Sequence, residues 1–379
     1  MSEEVPKPAE QPPVTRKRGR FAIAAITVLL GSLLVAALLL RKVTSMRMDW
    51  DNGRDGRVET EPYGPSWLHE VGGGLLEPVF QRTVAIRLWD ERINPEFVAS
   101  LSGVANVRRV DVTRCKNVDL LMPTVGRARQ LKYLDLVGTD VSDEGFAHVA
   151  GLTELKSIEI SETALTDAAF AHLKGLEALS FLSVRAVHVG DEGLRYLAKL
   201  PRLEELELSQ TNVGDEGLRH LVECPRLERL VLSRSAVGDE GLRYLAEVPW
   251  LKYLELSNTA VGDEGMRYLA ESPRLESLEL SNTNVSDAGL RHIARLPRLE
   301  ALVLNGSKVT ASGLAELQSM KVLESLSLDG TQLTEAAIEP LAAMPGLTVH
   351  IHAPKVDDAV FQRLTAALPY CNFYDQTEE

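Results

Sequence analysis

The chain has 379 residues, 45% hydrophobic and 25% charged, which is enough apolar material for a folded core of domain size. Its formal charge is −13; residues 1–43 carry +4 and the remainder −17. So acidic a body repels phosphate backbones, which excludes nucleic-acid binding.

Residues 1–20 are rich in Pro, Glu and Lys and are predicted to be a disordered, basic tail. Residues 21–40, FAIAAITVLLGSLLVAALLL, form a run of twenty without a charge, and about 20 residues span a bilayer. The run ends directly in Arg41 and Lys42, with no small-residue cleavage site before them, so it reads as an uncleaved single-pass anchor rather than a signal peptide. Arg16, Lys17, Arg18 and Arg20 crowd its N-terminal flank. That cluster predicts a cytoplasmic N-terminus and an exported body. Residues 41–63 read as a flexible linker, and 64–82 as a cap over the first edge of that body.

From there the chain repeats itself. Leucine recurs at positions 131, 155, 179, 203, 227, 251, 275, 299, 323 and 347, a period of 24. Three residues on stand Leu134, Ile158, Leu182 and their equivalents, and two further Leu136, Ile160 and Val184. Next comes a hydroxyl column, with Thr139, Thr163, Thr211, Ser235, Thr259, Thr283 and Ser307, and then a second half that reads Gly-Asp-Glu-Gly-Leu-Arg-Tyr-Leu-Ala at 238–246. The alternation in L-x-L places leucines on one face of a strand. Thr or Ser can bond the backbone inside the following bend. Asp143, Asp167, Asp191, Asp215, Asp239, Asp263 and Asp287 stand where a short helix should begin and are expected to cap its N-terminus. Prolines such as Pro201 and Pro225 mark the return loop.

This pattern resembles the leucine-rich-repeat family, in short units similar to those of bacterial repeat proteins and of repeats associated with F-boxes. The resemblance implies an α/β solenoid, with a curved parallel sheet on the concave side and short helices on the convex side. About twelve units span 83–368, and residues 369–379 form a C-terminal cap and tail. In the last unit Val349 and Ile351 come one residue early, a single deletion. Cys115 and Cys224 read as small buried residues: they are more than four repeats apart, too far for a disulfide.

Four features bear on function. Arg195, Arg219, Arg243, Arg267 and Arg291 stack in the helical half, each four residues after an Asp and mostly three after a Glu, which predicts solvated ion pairing. His148, His172, Tyr196, His220, Tyr244, Tyr268 and His292 interchange in the next column, as partly buried packing allows. His350 and His352 share one strand face and, with Asp329 beside them, are a weak metal-site candidate; two exposed histidines are the preferred reading. The outward strand positions form the concave face, where Asp111, Asp135, Glu159, Glu207, Glu255 and Glu279 stand in one column and Tyr133, Phe181 and Tyr253 flank it. Carboxylates with scattered aromatics suit a basic protein segment.

There is no phosphate loop, nucleophile elbow or zinc-protease helix. The sequence therefore predicts a membrane-anchored, non-enzymatic module with no cofactor and no evident small-molecule substrate, binding a protein on its concave face. The competing readings are a substrate receptor of the ubiquitin-ligase type, disfavoured because residues 44–82 are too short and Gly-rich for an F-box, and a metal-dependent enzyme seeded at His350, His352 and Asp329.

Overall fold

The computed structural model describes residues 57–62, 81–101, 104–328, 335–344, 346–352, 362–363, 366–367 and 371–374. The readings of residues 1–20 as a tail and 21–40 as a membrane span lie outside the described residues, as does Asp329. No helix among the described residues is long and apolar enough to cross a membrane. The repeats lie in a unit formed by Asp55–Thr60 and Thr83–Glu379. A strand, Arg57–Pro62, falls within the stretch read as a linker.

Each repeat from Arg109–Asp111 to Ser325–Ser327 contributes a three-residue strand such as Tyr253–Glu255, a bend, and a short helix such as Asp239–Leu245. Consecutive strands pair in parallel from Gln81–Arg87 to Thr348–His352, with equivalent positions opposite one another throughout. Cys371–Tyr374 adds one more parallel strand beside Thr348–His352. The expected deletion appears in the pairing: Val349 lies opposite Leu326 and His350 opposite Ser327.

The strand leucines and the helix leucines meet in one continuous core. Leu254, Leu256, Leu242 and Leu245 are all fully buried, as are Cys115 and Cys224, which are free thiols. Burial pushes the Cys115 thiol up to about 11 and the Cys224 thiol up to about 12. After each strand the chain must reverse, and a left-handed residue does this at equivalent positions: Arg114, Glu162, Ala186, Gln210, Arg234, Asn258 and Asn282, with Gly138 and Gly306 in the same column. The hydroxyl column then closes the bend, as Thr259 Oγ1 donates to Leu256 O at 2.6 Å and Thr211 Oγ1 to Leu208 O at 2.7 Å. Ser307 departs from this, its buried hydroxyl having no partner among the described residues.

The aspartates do not cap their own helices. The capping positions are Ser142, Thr166, Gly190, Gly214, Gly238, Gly262, Ser286 and Thr310, and each aspartate is the first helical residue after one of them. Its carboxylate reaches sideways instead. Asp191 accepts the N–H of Gly214, Asp215 that of Gly238 and Asp263 that of Ser286, at 2.7 to 2.8 Å. One repeat thus satisfies an unpaired N–H at the start of the next repeat's helix.

This also changes the arginine column. The aspartates four residues back are engaged elsewhere, so the pairing runs through glutamate: Arg195 to Glu192 at 2.9 Å, Arg219 to Glu216 at 3.5 Å, and Arg267 to Glu264. Arg291 pairs with Glu316 of the following repeat at 3.2 Å. Arg243 lies over the Tyr244 ring, 5.4 Å from its centre. In the neighbouring column His172, Tyr196, His220, Tyr244, Tyr268 and His292 are half-buried, and His148 is exposed.

Candidate functional site

The outward strand positions share one sheet face, because alternate residues point to opposite sides and the register never shifts between Ala85–Arg87 and Ser325–Ser327. Asp111, Asp135 and Glu159 stand opposite one another on neighbouring strands. Ser183, Glu207 and Val231 continue the column, followed by Glu255, Glu279, Val303 and Ser327. A second column runs beside it through Arg109, Tyr133, Ser157, Phe181, Glu205, Arg229, Tyr253 and Ser277. The sequence-derived residues therefore do form one surface, but not one cluster.

Four of the carboxylates are anchored by neighbouring donors. Asp111 accepts from Thr113 Oγ1 at 2.9 Å, and Asp135 from the Val137 N–H at 2.9 Å. Glu207 accepts from Ser183 Oγ at 2.8 Å, and Glu255 from Ser233 Oγ. The serine one strand away thus positions the glutamate head group.

The densest group is centred on Tyr253. Its hydroxyl lies 3.1 Å from Glu279 Oε2 and 3.3 Å from Glu255 Oε2, donating between the two carboxylates. The Arg229 guanidinium covers its ring, 3.6 Å from the centre. Burial first, and then the negative charge of Glu279 and Glu255, pushes the phenol up to about 12. Glu279 is itself held above the usual carboxylate range, by burial and then by Glu255. At the other end of the face, burial raises Asp135, with Asp111 adding to it. Burial likewise raises Glu159, with Asp135 and Glu207 adding to it. Tyr133 is 42% exposed, with Arg109 over its ring at 5.0 Å. Phe181 is half-buried between Ser157 and Glu205.

Arg109 and Arg229 were not among the sequence-derived site residues. Their signal is visible down a column rather than along the chain: each stands 24 residues before a tyrosine, in the same outward position. Of the weak metal candidate, His350 lies between Ser327 and Asn372 in register, and Asp329 lies outside the described residues.

Residues 106–291 match the family model described as leucine-rich repeat region. Among solved structures, an internalin from Listeria monocytogenes superposes with a TM-score of 0.57 at 18% identity, covering 78% of this chain and 87% of that one. No curated protein matches the chain in sequence. The matched region and the parallel sheet with its short helices make this a leucine-rich-repeat protein in fold.

Proposed function

We propose that this chain is a membrane-anchored, non-enzymatic recognition module that binds a basic segment of a partner protein on the outer face of its sheet. The observation that carries the reading is the Tyr253 group. A tyrosine held under an arginine and tied to two carboxylates is a pre-ordered anchor, costing little entropy when a partner covers it. The carboxylate column around it steers a cationic partner. Residues 21–40 supply the anchor, and Arg16–Arg20 keep the N-terminus in the cytoplasm.

The test is capture of partners from membrane extract with the full chain, followed by binding kinetics. Tyr253→Ala should hasten release. Glu255→Lys with Glu279→Lys should slow association, most at low ionic strength. Arg219→Glu with Arg243→Glu on the helical side should leave binding intact. Binding that survives the first two changes and is lost with the third refutes the assignment. A phosphatase reporter after Glu379 should be active; an inactive one reverses the topology.

A further inference from the structure

The sheet face repeats at a longer interval than its 24-residue unit. Residues 131–136 read Leu-Lys-Tyr-Leu-Asp-Leu and residues 251–256 read Leu-Lys-Tyr-Leu-Glu-Leu. In both places the preceding strand sets an arginine in register with the tyrosine, Arg109 with Tyr133 and Arg229 with Tyr253. Both guanidinium groups lie over the ring they face. In both places the following strand sets a glutamate beside the tyrosine strand's own acid, Glu159 beside Asp135 and Glu279 beside Glu255. No other pair of neighbouring strands among the described residues sets an arginine against a tyrosine in this column.

The charge in each group points to its ligand. Arg109 and Arg229 lie over their rings and within electrostatic reach of the carboxylates but form no ion pair with them among the described residues, so they offset only part of each pair's charge. Like charges on adjacent strands destabilise one another; burial first, and then the neighbouring carboxylates, raises the proton affinity of Glu159 and Glu279, and Arg109 and Arg229 offset only part of it. A cation placed there relieves that repulsion. At the first group Tyr133 is 42% exposed, so its ring can also cover the apolar stem of a lysine or arginine.

We propose that the two groups are equivalent subsites for cationic side chains, and that one extended basic segment crossing the strands occupies both. The inference rests on the outer-face reading above and adds the spacing. Adjacent strands are about 4.8 Å apart, so five steps separate the subsites by about 24 Å. An extended chain advances about 3.4 Å per residue and only alternate side chains share a face, so the two Lys or Arg side chains should stand an even number apart, about eight residues, their long stems taking up the difference.

The experiment uses the full chain in detergent micelles and two blocked synthetic peptides of equal composition and charge. One carries arginine at its first and ninth positions with Ser and Val between; the other carries the two arginines adjacent at its centre. Linked subsites should make the spaced peptide bind roughly tenfold tighter than its isomer at low ionic strength. Glu159→Gln and Glu279→Gln should each remove that preference, and Glu264→Gln on the helical side should leave it. Equal binding of the two peptides, failure of the spaced peptide to bind, or a preference that survives either variant overturns the two-subsite inference. The outer-face reading is judged separately, by whether Glu255→Lys with Glu279→Lys weakens the captured partner.

Discussion

Asp239 belongs to one repeat and holds the next: its Oδ1 accepts the N–H of Gly262 at 2.6 Å. The same oxygen explains the glycine two residues after six of the seven aspartates. A Cβ on Gly265 would lie 2.6 Å from Asp239 Oδ1 and 2.7 Å from Leu242 Cδ1. Gly241 meets Asp215 in the same way, and Gly217 meets Asp191. At Asp167-Ala168-Ala169 a buried alanine fills the slot, so the stack can open for one methyl group.

Gly262 and Gly265 should therefore respond in opposite directions. Gly265→Ala should destabilise by about 1–3 kcal/mol, through overpacking. Asp239→Ala should lose the lateral cap at a cost of about 1 kcal/mol. Gly262 is extended, and a Cβ added to it would come no nearer than 3.5 Å to any neighbour. Gly262→Ser should gain a few tenths of a kcal/mol, since serine is the better capping residue, as Ser286 shows with its hydroxyl on Asp263 at 2.7 Å. Urea denaturation of the three variants decides; Gly262→Ser proving the most damaging would refute the lateral cap.

Ala186 sits at φ +54, in the left-handed column that Gly138 and Gly306 also occupy. An L-residue loses roughly 1–2 kcal/mol there, and glycine returns part of that gain through its greater unfolded-state freedom, about 0.5–1 kcal/mol. Ala186→Gly should raise stability by up to about 1 kcal/mol. The reverse change, Gly138→Ala, should lower it, because its Cβ would also meet Arg114 Cγ at 2.9 Å. Thermal melting of the pair gives the signs directly, and a destabilising Ala186→Gly would contradict this backbone.

Glu279 provides a test by pH. Its carboxyl is raised in the folded protein by burial and by Glu255, so the folded state holds that proton more tightly than the unfolded chain. Its contribution to stability is then lost as pH rises from the ordinary carboxylate value through the raised one. Above that window Glu279→Gln should be more stable than the parent by a few tenths of a kcal/mol. The advantage should shrink as acid protonates Glu279. An advantage that grows on acidification would show the carboxylate to be compensated.

The buried thiols report the integrity of the stack. Cys115 and Cys224 are fully buried and their thiols are raised to about 11 and about 12, so neither presents a thiolate near pH 8. In a Cys371→Ser background, maleimide labelling should track global unfolding and yield two thiols only in denaturant. Rapid labelling of the native protein at either position would place that residue outside the core.

The one-dimensional pattern determined a good deal of this protein. Leu254 and Leu256 point inward, and Tyr253 and Glu255 outward, because strand parity is a local property of the backbone. The constant 24-residue spacing carried that parity from strand to strand, so the outward column could be written down residue by residue, and the early Val349 located the slip in the last repeat. What the pattern could not decide is which neighbour a polar side chain chooses. Asp239 is four residues from Arg243, but its carboxylate bonds Gly262, 23 residues away. Arg229 likewise covers a ring 24 residues on, and the Tyr253 hydroxyl is shared with a carboxylate of the following repeat. Helical spacing and stacking offer such groups partners at similar distance, and an unpaired backbone N–H at a helix start is the costlier group to leave unmet. Only the packed stack brings that N–H within reach of the carboxylate, so the tertiary structure made the choice.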